Sequence, residues 1–270
     1  MYAGSSLTKV SGRIIGTHQK IDRTARHHLE KLLVMDAAFP RARRILQFEG
    51  RNGPDALKRK SPAHDEPWHF FDPFNPEDTQ LQEQIQTHFE LLVTELKNKN
   101  PERSAFEAAW LAHAIVDGLT PAHQYPYEAK LTELRGGAGL ETRNTIMAKL
   151  VMPGENRRKK IKNNWLMWGP RGLLAGHMLF EFGITTILAP VSLRKGMPTP
   201  EDIKDLDRRG LIKVFEVTAR DIAKLDMYTA YYRKGWTPKL VKQVKRQLGP
   251  DIARMVTLAW YAAAKEAGLA

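Results

Sequence analysis

The feature that most constrains this chain is the spacing of its apolar residues, which recur at intervals of three and four. This is the period of a helix that buries one face. Seven segments show it, bounded by Pro, Gly or Asn: 18–38, 79–98, 104–118, 140–151, 172–188, 201–230 and 238–267. Because no segment shows the alternation of a half-buried strand, the sequence predicts an all-α, multi-helix fold.

Two irregular stretches divide the chain. Residues 53–76 and 190–200 are rich in proline and are the longest pieces without helical periodicity. We predict a catalytic domain over residues 1–190 and a helical extension over residues 191–270 that packs on the same domain. Long loops within a compact domain usually carry function, which directs attention to residues 53–76.

One helical segment is apolar enough to suggest a membrane span. Residues 173–191 contain His177 and Glu181 one helical turn apart, however, and ionisable residues are rare in a lipid-facing helix. We expect a buried helix and no transmembrane segment. The first residues show no signal-peptide pattern, so as written the sequence suggests a cytoplasmic location, although the absence of cysteine fits either redox environment.

The charge balance favours anionic partners. The formal net charge is +12, and half of the excess lies between Ala129 and Trp165, where nine basic residues face three acidic ones. Such a surface suits nucleic acid, phospholipid membranes or phosphorylated substrates. This basic segment, residues 129–168, is either a solvated loop or an anion-binding element whose candidate residues are Arg157, Arg158, Lys159, Lys160 and Trp165.

The absence of cysteine means that a metal site in this chain must use His, Asp and Glu. His113 and Asp117 are four residues apart, as are His177 and Glu181, so each pair shares one face of a helix. Taken singly, each candidate has an ordinary explanation, such as a helix cap or a packed imidazole. The candidates in chain order are His18, Asp55, His69, His113, Asp117, His123, His177 and Glu181.

The order and spacing of these residues resemble the zinc-dependent phospholipase C and single-strand-specific zinc nuclease superfamily, and the phospholipase C branch more closely. "GTHQKI" at 16–21 is similar to the early helix-opening histidine of that family, and "PWHFFDPFNP" at 67–76 to its aromatic histidine loop. "HAIVDGLTPAH" at 113–123 and "HMLFE" at 177–181 resemble its HxxxD…H and HxxxE motifs. The resemblance spans residues 12–185.

The resemblance implies a multi-helix bundle with long loops, the basic insert at 129–168 and a site for two to three zinc ions. Asp55, His69, His113 and Asp117 would hold the first ion. The second would be held by His123, His177 and Glu181, and the third by His18 with Asp117 as a bridge. In secreted members an N-terminal tryptophan completes the third site, whereas here Met1 lies 17 residues before His18. Asp55 is either a zinc ligand or, as in the phospholipase branch, the catalytic general base.

A zinc cluster suits hydrolysis of phosphodiesters, because bound water loses its proton near neutral pH and no protein nucleophile is needed. The aromatic loop favours a phospholipid substrate, with Trp165 and Trp168 at an anionic membrane surface. The basic insert equally suits a nuclease that acts on single strands. The third alternative is a non-catalytic helical binding module with a structural metal site. Similar proteins are often secreted.

Overall fold

The computed structural model describes residues 1, 16–35 and 37–270. These residues form α-helices joined by turns and short helical segments, with no β-strand among them. The prediction of an all-α fold is therefore confirmed for the described part of the chain. The helices are α1 (Thr17–Leu29), α2 (Ala42–Ile45), α3 (Pro54–Lys60), α4 (Gln80–Lys97), α5 (Pro101–Gly118), α6 (Tyr127–Leu134), α7 (Ile146–Leu150), α8 (Arg157–Trp168), α9 (Leu173–Leu188), α10 (Pro200–Arg209), α11 (Leu211–Ala223), α12 (Met227–Lys234), α13 (Pro238–Gln243) and α14 (Gly249–Glu266).

Helix α5 lies at the centre of the fold. The Asn100 side chain caps its start by accepting a hydrogen bond from the backbone N–H of Arg103. Every residue from 111 to 118 is buried, because α4, α1 and α14 all pack against this helix. Since this end of α5 has no solvated face, the polar side chains of His113 and Asp117 must find partners inside the protein.

The end of α5 depends on a close approach at Gly118. A Cβ atom here would lie 2.5 Å from Cζ of Phe215 and 2.7 Å from Cδ2 of Leu81, which is closer than carbon atoms pack. The chain then turns back, and the N–H of His123 donates to the carbonyl of Thr120 at 2.9 Å. This turn returns His123 to the side of α5 that carries Asp117.

The residues from 191 onward contribute to the same core. Helix α14 packs on α1, α4 and α5, and the buried indole N–H of Trp260 donates to the carbonyl of Ala108 at 3.0 Å. The periodic segment 201–230 is not one helix, as its pattern predicted. Gly210 (φ 78°) and Asp226 (φ 48°) adopt left-handed backbone conformations that a right-handed helix cannot contain.

The basic insert contains a helix that apolar periodicity did not indicate. Helix α8 begins where the Asn156 side chain accepts a hydrogen bond from the backbone N–H of Lys159 at 2.9 Å. Helix α9 follows, and it buries Phe180 and Ile184 but exposes Met178. The expectation of a buried helix therefore holds for one face of α9, while another face is exposed. Among the described residues, no helix is both long enough and apolar enough to cross a membrane.

Candidate metal centre

The carboxylate of Asp117, on the last turn of α5, lies at the centre of a buried cluster of histidines and acids. Its Oδ2 lies 2.6 Å from Nδ1 of His69 and 3.2 Å from Nε2 of His113. Its Oδ1 faces a different set of groups, with Nε2 of His18 at 3.3 Å and Nδ1 of His123 at 3.6 Å. Oδ2 therefore points toward His69 and His113 and Oδ1 toward His18, whereas Nδ1 of His123 also lies 2.8 Å from the carbonyl oxygen of His69.

The first group consists of Asp55, His69, His113 and Asp117, whose ligand atoms all lie within 4.8 Å of one another. Helix α3 contributes Asp55 from its first turn, after Pro54 at the helix start. The side chain of Asp55 is 28% exposed, whereas the two histidines and Asp117 are buried. Asp55 is therefore the member of this group that solvent and a substrate can reach.

The second group consists of His123, His177 and Glu181, again within 4.8 Å of one another. Oε1 of Glu181 lies 2.8 Å from Nε2 of His123 and 3.1 Å from Nε2 of His177. Helix α9 aligns His177 and Glu181 by their four-residue spacing. The Phe70 ring packs 5.4 Å from the His123 ring and 6.4 Å from the His177 ring, which limits the orientations that these imidazoles can adopt.

His18, on the first turn of α1, contacts a third set of groups. Its Nε2 lies 2.8 Å from the carbonyl oxygen of Met1. The amino group of Met1 donates to Oδ1 of Asp117 at 2.7 Å and lies 3.4 Å from Oε1 of Glu181. The amine and the carbonyl of one residue thus both lie beside His18 and Asp117. No local pattern in the sequence indicates this contact, because 17 positions separate Met1 from His18.

The electrostatics of the cluster keep its acids ionised. Burial raises the pKa of Asp117, but His123, the Met1 amine and His113 outweigh it and hold the pKa well below the usual value. For Glu181, the Met1 amine and His177 likewise outweigh burial and lower the pKa. Ionised carboxylates are the form that binds a cation.

The pKa values of two histidines in the first group are shifted in opposite directions. Burial, with the nearby positive charge of Lys58, lowers the pKa of His69 to about 3 against the pull of Asp117. Burial also acts against the charged form of His113, but Glu49 and Asp117 outweigh it and raise the pKa well above its usual value. In both cases a neighbouring carboxylate is available to orient the ring.

Glu49 is the principal residue of the site that sequence reasoning missed. It is fully buried, and its Oε1 lies 2.9 Å from Nδ1 of His113. Glu49 also forms a group with His18 and His113 whose ligand atoms lie within 4.8 Å of one another, and the rings of these two histidines stack at 4.2 Å. No spacing or motif marks Glu49, since it follows a short helical turn and belongs to none of the periodic segments.

Asp22 lies behind this network, one helical turn after His18. It is buried, and neither of its carboxylate oxygens has a hydrogen-bond partner among the described residues. Burial, together with the charge of Glu49, raises the pKa of Asp22 well above the usual value. A buried carboxyl group beside a second acid is held in its neutral form more easily than its charged one.

The remaining described histidines lie outside these groups. His27 is exposed, and Nδ1 of His88 lies 2.6 Å from Oε2 of Glu107. His28 is buried. The structure thus brings all eight candidate ligands together and leaves these three histidines apart.

The candidate anion-binding residues do not all line the same cleft. A cleft of about 1070 Å³ includes Arg158 and Lys159 among its lining residues, whereas Arg157, Lys160 and Trp165 are exposed and do not line it. Other basic and aromatic side chains in the lining are Lys130, Arg135, Lys162, Arg171, Tyr125, Tyr228 and Tyr232, and two acids, Glu133 and Glu155, also line the cleft.

The cleft adjoins the second group of ligands. Burial, neighbouring tyrosines and the charge of Glu181 together raise the pKa of Tyr228, which lines the cleft. Tyr125, also in the lining, follows His123 by two residues and packs 5.2 Å from Tyr228.

Comparison with protein-family models, curated proteins and solved structures finds no match. The resemblance to the zinc-dependent phospholipase C and zinc nuclease superfamily therefore stays a prediction from the motifs.

Proposed function

We propose that this protein is a metal-dependent phosphoric diester hydrolase that holds two to three zinc ions. The observation that carries the proposal is the placement of Asp117, whose Oδ2 faces His69 and His113 while its Oδ1 faces His18 and the Met1 amine. A carboxylate in this position can bridge two cations. Clustered cations need such negative charge between them to offset their mutual repulsion.

The residues fit zinc by chemistry and by hydrogen bonding. Neutral imidazole and ionised carboxylate are zinc ligands, and lowered pKa values favour these forms at His69, Asp117 and Glu181. Nε2 of His69 is buried and has no hydrogen-bond partner in the described part of the chain, which is costly for a polar atom. A bound cation would give this nitrogen a partner that the side chains of the cluster do not provide.

The ligands divide into three proposed sites. Asp55, His69, His113 and Asp117 would hold the first ion, and His123, His177 and Glu181 the second. His18, Asp117 and the amine and carbonyl of Met1 would hold the third. Bound zinc would supply an acidified water molecule and neutralise charge on the phosphate oxygens.

Asp55 serves this reaction as a ligand rather than as the general base. Burial and the charge of Asp117 raise the pKa of Asp55, but His113, His69 and His18 together outweigh them and the net shift is downward. A general base works best with a pKa near the operating pH. A carboxylate with a lowered pKa holds a cation well and accepts a proton poorly.

Phospholipid is the first candidate substrate, in line with the aromatic loop whose Phe70 packs against His123 and His177. Single-stranded nucleic acid is the second candidate. The cleft beside the second group favours it, because basic side chains and three tyrosines suit a phosphate backbone with stacked bases. A non-catalytic module with a structural metal site is the remaining alternative.

A panel of substrates tests the proposal. Zinc-reconstituted protein is assayed on bis(p-nitrophenyl) phosphate, on phospholipid vesicles and on single-stranded DNA and RNA. We expect hydrolysis that chelation abolishes reversibly and that His113→Ala and Asp117→Asn lower by at least about a hundredfold. His27→Ala is the matched control, since His27 is exposed and lies outside the cluster. Fully metal-loaded protein that is inactive on every substrate would support the non-catalytic module instead.

A further inference from the structure

Large apolar side chains are exposed on three consecutive helices, α7, α8 and α9. Trp165 is 66% exposed, Met147 66% and Met178 54%. Exposed apolar groups scattered singly are normal, but a concentration on neighbouring helices marks an interaction surface. The docking face, as we define it, comprises Ile146, Met147, Ile161, Trp165, Trp168, Met178 and Leu179.

Helix α8 provides the centre of the docking face. Ile161, Trp165 and Trp168 follow one another at four and three residues, so they form one stripe along the helix. Met167 is buried on another side of α8, and Leu166 lines the cleft. The stripe is therefore neither the packed face of the helix nor the wall of the cleft.

Basic residues occupy other positions of the same helix. Arg157, Arg158, Lys159, Lys160 and Lys162 are all exposed on α8. Among the described contacts of these five, the single ion pair joins Lys159 to Glu155 at 3.1 Å. The apolar stripe thus lies within a field of positive charge that its own helix leaves largely uncompensated.

Helix α7 is fixed to this arrangement. The indole N–H of Trp168 donates to the carbonyl of Leu150 at 2.7 Å, which joins the end of α8 to the end of α7. On α9, Met178 and Leu179 directly follow His177 of the second ligand group. One helix therefore carries both part of the docking face and part of the candidate metal centre.

We propose that the docking face binds the surface of an anionic phospholipid bilayer. Tryptophan and aliphatic side chains enter the interfacial region, while lysine and arginine contact anionic headgroups. A second copy of the chain is a poor occupant, because a two-fold contact would bring the same cations of both copies together. A nucleic-acid backbone would match the charges but would leave the exposed Ile161 and Met147 without apolar contacts.

Binding to the bilayer does not require catalysis. That the same bilayer supplies the substrate rests on the proposed function, and the experiment separates the two. Vesicle sedimentation uses the full chain and its His113→Ala variant, with vesicles of phosphatidylcholine alone and with 30% phosphatidylserine. We expect both proteins to bind only the anionic vesicles, and to bind them less tightly as salt rises.

Two variants test the face itself. Ile161→Ser with Trp165→Ser should lower the vesicle partition coefficient roughly tenfold for each buried side chain. Replacing Arg157, Arg158, Lys159 and Lys160 with Gln should lower the partition coefficient by about 25-fold or more. This minimum counts roughly fivefold for each of Arg157 and Lys160, the two residues that do not line the cleft.

A matched control removes equal charge elsewhere. Arg43, Arg44, Lys97 and Lys99 are exposed on α2 and at the end of α4, and their replacement with Gln should leave vesicle binding within about threefold. Circular dichroism melts verify that each variant folds. The proposal is overturned if the wild-type protein does not bind anionic vesicles, or if both docking-face variants bind them as tightly as wild type. It is also overturned if these variants lose only oligonucleotide binding or only self-association. Vesicle binding without any hydrolysis would refute the proposed function and leave the docking face standing.

Discussion

Glu49→Gln should weaken metal binding although Glu49 belongs to neither of the two principal ligand groups. Its carboxylate lies 2.9 Å from Nδ1 of His113, so it holds the proton there and directs Nε2 toward Asp117. Loss of a carboxylate that orients a histidine ligand typically costs 10–100-fold in metal affinity, or about 1.4–2.7 kcal/mol. We expect a loss in this range at pH 8, because glutamine keeps the shape but not the charge.

The expected loss of zinc affinity depends on pH, and the neighbours of His113 determine the direction. Although burial opposes it, Glu49 is the first of the carboxylates that raise the pKa of His113, so at lower pH a proton competes with metal in the wild type. Glu49→Gln makes protonation of His113 less favourable, so the proton competes less with the metal. It also removes the carboxylate that orients the His113 ring. The affinity difference between the two proteins should therefore grow from pH 6 to pH 8.

Zinc competition with a chromophoric chelator measures the affinity, and the visible spectrum of the cobalt-substituted protein reports the ligand geometry. Glu107→Gln is the matched control, because Glu107 is also a buried glutamate paired with a histidine, His88 at 2.6 Å. It should change neither affinity nor spectrum. If Glu49→Gln binds zinc within twofold of wild type with an unchanged cobalt spectrum, then Glu49 does not position His113.

Three further predictions concern the metal-free protein and its amino terminus. Unfolded histidine takes a proton near pH 6.5 but folded His69 only near pH 3, so the free energy of unfolding should fall as pH drops through this window. Chemical denaturation from pH 7 to 4 should show a shallower fall for His69→Gln, and equal slopes would contradict the assignment. Burial and the charge of Glu49 raise the pKa of Asp22, so ionising this carboxyl group costs folding free energy at pH 7 but not at pH 3. Asp22→Asn should therefore stabilise the metal-free protein at pH 7 only, by about 1.4 kcal/mol for each pH unit by which the pKa is raised. An unchanged melting temperature at pH 7 would refute this. Acetylation of the Met1 amine, which donates to Asp117 at 2.7 Å, should remove the third zinc ion from elemental analysis, and retention of that ion would exclude the amine as a ligand.

The sequence predicted those parts of the site that repeat along one helix or belong to a recognisable motif. His113 and Asp117 share a helix face by their spacing, as do His177 and Glu181, and both pairs lie in periodic segments. The grouping of Asp55 and His69 with α5 came from the resemblance, because spacing along the chain says nothing about contacts between distant elements. In the structure these residues lie together.

The rest depended on contacts that no local pattern encodes. Glu49 touches His113 across 64 positions in the chain, and a buried glutamate looks like a surface residue in the sequence. Helix α8 was missed because its charged residues leave little apolar periodicity, and Asn156 is its clearest start signal. The breaks at Gly210 and Asp226 are set by backbone conformation, which the apolar pattern around them does not show.

The most direct test of the central claim is the metal content of the purified protein. After reconstitution with zinc at neutral pH and removal of loosely bound ions, elemental analysis should give two to three zinc ions per chain. Asp117→Asn should lower this number, because Oδ2 of Asp117 faces His69 and His113 whereas Oδ1 faces His18 and the Met1 amine. Fewer than one zinc ion per chain in the wild-type protein would contradict the account, since the histidines and acids would then be a buried polar network without a cation.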